Sequence, residues 1–278
     1  MSFAAALVLS SALLHALWNT VAKSVGDRWV SSALIGTGYL IGGVIIVLVR
    51  PLPDPASWPN LVGSAALQVV YLLLLTSAYQ YGDMGRLYPL MRGLGPLLVS
   101  VVAIIFLGES LHGWAVLGLL ILLAGLAGLA LHRGLPRRGH GIGLAVLTGC
   151  CIAGYSLIDG IGVRNSGEAY GYAGWLFLIQ GPLLILVARI KSGHRLRTRM
   201  RPHAVKGIVG GFLSLLTYGI VVWAQDRMPL SVVAALRETS VVWGVLLSAV
   251  LLRERPSRLA TAAALVALTG AILVDLGG

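Results

Sequence analysis

Charge-poor apolar runs of about twenty residues follow one another along the whole chain, and about twenty is the number a helix needs to cross the hydrocarbon core of a bilayer. They lie near residues 3–22, 30–49, 59–81, 84–107, 111–131, 140–161, 169–188, 205–225, 229–252 and 258–276. The pattern predicts an all-α polytopic membrane protein with ten transmembrane helices. Pro-rich or basic connectors punctuate it: RPLPDPASWP at 50–59, HRGLPRRGH at 132–140 and RIKSGHRLRTRMRPH at 189–203. The other breaks are only a few residues long, which makes sequential helices antiparallel neighbours in a compact bundle. The first run, MSFAAALVLSSALLHALWNTVAK, is apolar almost from its first residue with no basic segment ahead of it. It therefore reads as a first span rather than as a cleaved signal peptide. Gly38 and Gly42 stand at the small-xxx-small spacing that lets helix backbones approach closely in lipid.

Composition removes the soluble alternative. Of 278 residues, 57% are hydrophobic and 11% charged, against roughly 25% charged in soluble domains. Ten spans of about 20 residues leave only about 78 for tails and loops, so there is no room for a soluble domain. The two cysteines, Cys150 and Cys151, are adjacent inside an apolar run. They suit packing rather than a disulfide or a metal site, and no cofactor is expected.

A net charge of +11 would raise the question of nucleic acid in a soluble protein. Its distribution answers it. Sixteen of the 21 basic residues fall in the loops of one face, three in those of the other, and two within spans. The charge is thus largely a topological label. By the positive-inside rule both termini lie outside and the basic connectors 132–140 and 189–206 are cytoplasmic, in a plasma membrane, or the inner membrane if the source is bacterial. No nucleic-acid partner is expected.

Shifting the chain by 145 positions pairs Gln80 with Gln225, Arg92 with Arg237, Glu109 with Glu254 and Gly125 with Gly270, without a gap. The halves are therefore repeats of five spans. Because five is odd, the second copy enters the membrane upside down, as in secondary transporters built around a central site. The segments LLHALWNTVAK, AYQYGDMGRLYPLMRGLGPLL, LGESLHGWAVLGLLILLAG, AGYSLIDGIGVR and LRETSVVWGVLLSAVLLRERPSRLATAAALVALTGAIL are similar to those of EamA-type members of the drug/metabolite transporter superfamily. The resemblance covers essentially the whole chain. It implies two inverted five-helix repeats, at 1–132 and 139–278, and transport. It implies no single substrate, since the superfamily handles amino acids, drugs, sugars, nucleotide sugars and phosphorylated metabolites. Its four-helix multidrug relatives carry a glutamate in the first span. This first span holds no acid, so their mode of proton coupling does not carry over.

Arg92, Arg237, Glu238 and Asp159 fall within spans, where each costs about 2.5–3.5 kcal/mol to insert and needs a partner, a wet cavity or a task. At 1.5 Å per residue, Arg92 lies about 12 Å in from Met84 and Arg237 about 12 Å in from Pro229, from opposite faces. Both reach toward the midplane of a core about 30 Å thick. Tyr88, Arg92 and Gly95 share one helical side with Pro89 and Pro96 interrupting the backbone hydrogen bonding nearby, and Arg237, Ser240 and Gly244 do the same beside Glu238 and Thr239. Further polar stripes are Ser11, His15, Asn19 and Lys23 in span 1; Thr148, Cys151, Tyr155 and Asp159 in span 6; Gln68, Tyr71 and Gln80 in span 3; and Ser214, Tyr218 and Gln225 in span 8. Such stripes are expected where helices line a cavity.

Arg92 and Arg237 are candidates to grip a carboxylate, phosphate or phosphonate of the substrate, with Trp18, Tyr88, Tyr155 and Trp243 as walls. The open alternatives are structural: Arg237 with Asp159 or Glu238, Arg92 with a carbonyl freed by a proline, or a gate that breaks and reforms. Glu109 and Glu254 are expected to cap the helix that follows each of them. His15 and Asp159 are the candidates for a coupling proton. No HExxH, no i, i+4 acidic pair and no phosphate loop with Lys is present, so a membrane enzyme or ATP-driven pump is not expected. A channel would need a continuous pore or a selectivity ring.

The expectation is secondary active transport by alternating access of a small polar metabolite or drug, an amino acid or other anionic or zwitterionic compound foremost. Export is the direction the resemblance implies. Uptake or exchange of a phosphate- or phosphonate-bearing metabolite is the alternative. The expected partners are the small-molecule substrate, bilayer lipid and a coupling proton, in a monomer or homodimer.

Overall fold

The computed structural model describes residues 3–81, 84–110, 113–132, 139–240, 242–243 and 258–277. Its helices are α1 (Phe3–Lys23), α2 (Arg28–Val49), α3 (Trp58–Tyr81), α4 (Met84–Phe106), α5 (Trp114–His132), α6 (Gly139–Arg164), α7 (Ala169–Ser192), α8 (Leu196–Met200), α9 (Ala204–Gln225), α10 (Leu230–Arg237) and α11 (Arg258–Gly277). No strand occurs among the described residues. The architecture is all-α, two inverted repeats of five helices, as the apolar blocks require.

The helix ends are set locally. Asp27 caps α2 by accepting from the Trp29 and Val30 amides at 2.8 and 3.1 Å, which satisfies donors the first turn leaves open. Glu168 does the same for α7 through the Gly171 amide. Gly26 and Gly167, at φ 78° and 67°, turn the chain into those caps in a conformation other residues avoid.

One expectation about continuity fails. The pattern made 229–252 one unbroken span, but α10 stops at Arg237, Glu238 and Thr239 form a turn, and helical backbone resumes at Ser240. The amides of Glu238 and Thr239 reach back only three residues, to Ala235 and Leu236, the tighter bonding of a helix end. Pro89 and Pro96 do not end the helix that carries them: α4 runs through both, each proline withholding one amide from its hydrogen bonding.

The chain forms two compact units, and neither is a sequence half. One comprises 1–12, 70–157 and 227–278; the other comprises 13–69 and 158–226. In the first, α5 packs on α11 and α4 on α10. In the second, α2 packs on α7 and α9. Helices 145 positions apart thus lie side by side: α2 with α7, α4 with α10, α5 with α11. Gly36 and Gly181, themselves 145 apart, touch reciprocally. A Cβ on either would stand 2.7 Å from the other's carbonyl oxygen. The contacts of Gly270 with Gly118 and of Gly125 with Ala263 are images of each other under the same shift. This is the reciprocity that a two-fold relation between repeats demands. Gly38 of the predicted small-residue pair meets Gly211 of α9, and Gly42 meets Leu215 and Phe212.

The outward surface is apolar. Leu48, Val49, Phe106, Leu120, Ile190 and Val205 are each at least 60% exposed. That is far more greasy surface than water tolerates, and it suits lipid.

Candidate functional site

Within the first unit, α4 brings Arg92 against the broken end of α10. The Arg92 guanidinium is buried, with Nη2 3.1 Å from Glu238 Oε1. The same nitrogen donates to Ser240 Oγ at 3.1 Å. Glu238 is 3% exposed, and its Oε2 is buried with no hydrogen-bond partner among the described residues. Arg237, the residue before Glu238, is half-buried in the last turn of α10. A guanidinium and a carboxylate thus meet at a helix C-terminus inside a membrane span, next in sequence to a second arginine. The partial negative charge of that terminus favours the cations. The sequence offers Arg237 as the partner of Glu238 and a freed carbonyl as that of Arg92; the ion pair that forms, Arg92 with Glu238, is not among those alternatives.

Glu109 holds the other end of α10. Its carboxylate accepts from the amides of Leu230 (2.6 Å) and Ser231 (3.2 Å) and from Ser231 Oγ (2.8 Å). The sequence pointed to the helix that follows it, α5; the bonds described here take up the start of a helix about 120 residues on, brought close by the packing of α4 on α10. α10 is thus tied to the α4 segment at both ends, by Glu109 and by Arg92. Glu109→Ala should therefore lower stability by about 1–2 kcal/mol, the usual loss for a cap. Thermal unfolding of purified protein checks it; a change below about 0.5 kcal/mol would mean the cap contributes little.

In the second unit a separate polar cluster is enclosed. Asp159, fully buried, accepts from Tyr218 (2.6 Å) and Tyr172 (3.0 Å), which joins α6, α9 and α7. Tyr39 and Ser214 hydroxyls are 2.6 Å apart, and Gln180 donates to Gln68 at 2.8 Å. Ser214, Tyr218 and Gln68, read from sequence as cavity lining, thus make bonds between helices. Tyr39, Tyr172 and Gln180 were not singled out from sequence, although each is a polar residue standing in an apolar span.

The remaining predicted residues are placed as follows. Trp18 and His15 meet edge to face at 5.2 Å, with the Trp18 indole N–H buried. Asn19 donates to the His15 carbonyl of its own helix at 2.8 Å. Tyr155 is buried and stacks edge-on against Tyr71 at 5.8 Å. Gln225 is buried, and its main-chain oxygen accepts from Arg164. Trp243 is half-buried, its amide bonded to Thr239. Pro96 is buried in α4, and Gly95 lies against Ile152 of α6. The side chains of Gln80, Tyr88 and Pro89, and all of Gly244 and Glu254, lie outside the described residues. No group of three or more His, Cys, Asp or Glu able to hold a metal occurs among the described residues.

With this geometry in place, comparison with known proteins is informative. The model of the EamA-like transporter family matches residues 2–131 and 139–275. A solved structure, described only as "Crystal structure of protein", superimposes with a TM-score of 0.78 over 99% of each chain at 22% identity, which is a likeness of fold. No curated protein matches the chain.

Proposed function

The chain belongs to the EamA-like transporter family, and from that premise we propose that it exports a small polar metabolite with an anionic or zwitterionic group, an amino acid foremost. The carrying observation is the buried Arg92–Glu238 pair at the interrupted end of α10. Discontinuous helices in transporters place charged and unwound groups at the substrate site. Arg92, Arg237 and Glu238 together sum to one positive charge, which an anionic group on the substrate would neutralise. In this reading Glu238 holds Arg92 in the empty carrier. The substrate carboxylate then takes the guanidinium, and the released Glu238 receives the substrate ammonium. Ser240 keeps the arginine aimed throughout.

The same proposal sets the basic connectors at 132–140 and 189–206 in the cytoplasm and both termini outside, and has the carrier work by alternating access. Purified protein in liposomes tests it. Uptake of a labelled amino acid should saturate, and preloading with unlabelled amino acid should accelerate it. Flux that rises linearly with concentration and shows no counterflow would point to a channel instead.

A further inference from the structure

The stretch that leads from α7 into α9 is the most basic of the chain and is also folded. Residues 189–206 hold seven Arg and Lys and no acid, yet the segment is ordered as α8 between two short 3-10 turns. Leu196 is buried, and Met200 packs with it against Val25, Val30, Leu34 and Ala188. Arg199 pairs with Asp27, the cap of α2. Seated in this way, α8 roofs a recess of about 650 Å³ at the foot of α2 and α9. Arg197, Thr198, Met200 and Arg201 line it from α8 and the turn after it, Leu34 and Thr37 from α2, and Ala204 and Ile208 from α9. Both arginines are exposed.

We infer that this recess binds an anionic phospholipid of the surrounding leaflet, its phosphate on Arg197 and Arg201 and its upper acyl chain along Leu34 and Ile208. The lining offers both characters of an amphiphile, two guanidinium groups from the α8 segment and apolar side chains such as Leu34 and Ile208 from α2 and α9. A soluble anion would have no use for the apolar side chains, and an apolar molecule none for two guanidinium groups. Guanidinium donors grip phosphate bidentately, and basic pockets between membrane helices hold anionic headgroups. The apolar lining continues on α9 into Val205, Val209 and Phe212, which are 77%, 49% and 37% exposed. A chain leaving the recess therefore runs onto lipid-facing surface. The volume takes a headgroup with the first part of its chains, and the remainder stays in the bilayer. This inference is independent of the substrate assigned to Arg92.

The experiment uses the purified full-length protein with phosphatidylglycerol or phosphatidylcholine of identical acyl chains, read by native mass spectrometry and thermal unfolding. Phosphatidylglycerol should bind preferentially and raise the Tm by about 5 °C over phosphatidylcholine at saturation. The pair Arg197→Gln/Arg201→Gln should weaken that binding about 30-fold and remove the difference in Tm. Arg195→Gln, at an exposed arginine outside the recess, should retain both. Equal stabilisation by the two lipids overturns the inference, as does a double variant that behaves like Arg195→Gln. Inorganic phosphate reproducing the full shift would overturn the lipid and leave a simple anion site.

Discussion

Arg92→Gln is expected to abolish saturable transport and to destabilise the protein by about 3–5 kcal/mol, because it leaves Glu238 buried without its counter-charge. Those two losses have different origins, and a second change separates them. In Arg92→Gln/Glu238→Gln no uncompensated charge remains, so most of the stability should return; removing both partners of a buried pair is often close to neutral. If the pair only holds α4 to α10, transport returns with it. If Arg92 grips the substrate, transport stays lost, with substrate affinity down about 30-fold or more, since a buried charge-assisted contact is worth about 2–5 kcal/mol. Ser240→Ala removes one hydrogen bond from the same guanidinium and should cost only about 1 kcal/mol. Flux in liposomes and ligand-dependent unfolding of the same preparations give both readouts. A double variant with wild-type flux would sink the substrate role.

What the sequence could and could not disclose about this site follows from what each kind of pattern encodes. Apolar block length reports which residues lie in lipid, so the helices from α1 to α7, together with α9 and α11, were legible to within a few residues. The shift of 145 reports which residues are equivalent, and so it exposed Arg92 and Arg237. Neither pattern reports how far each helix is turned about its axis, which packing against neighbours decides. That rotation chose Glu238 as the partner of Arg92 and gave Asp159 to Tyr172 and Tyr218. It also sent the Glu109 carboxylate to the start of α10. The break in α10 has a faint signal, Arg237-Glu238-Thr239-Ser240, four polar residues in succession inside an apolar run. No proline or glycine marks it, whereas the prolines of α4 sit in a helix that continues through them. The repeat is also imperfect at this spot: Gly93 and Gly95 stand where Glu238 and Ser240 would have counterparts. The acid and the hydroxyl are thus supplied by one copy only, which makes a symmetric scaffold into an asymmetric site.

Gly36→Ala and Gly181→Ala are each expected to lower stability by about 3 kcal/mol, the upper end for overpacking, because the atom each new methyl meets is a backbone oxygen at 2.7 Å. A side chain can rotate away, but a helix carbonyl cannot without moving its helix. Relief therefore requires α2 to separate from α7 along the seam that also includes Gly43 against Gly174 and Leu178. In lipid such a seam is held by close packing rather than by a hydrophobic driving force, so a few tenths of an ångström of separation forfeits contacts along its length. The two sites face each other, so the effects should not add. Once one methyl has opened the seam, the second enters space already made, and the double variant should cost less than the sum of the singles. Gly63, with nothing within 4 Å of an added Cβ, provides the comparison. Gly63→Ala should stabilise by up to about 1 kcal/mol through helix propensity alone. Denaturant unfolding in detergent measures all four variants. Gly36→Ala and Gly181→Ala behaving like Gly63→Ala would mean that α2 and α7 do not meet backbone to backbone, and the two-fold contact between the repeats would go with them.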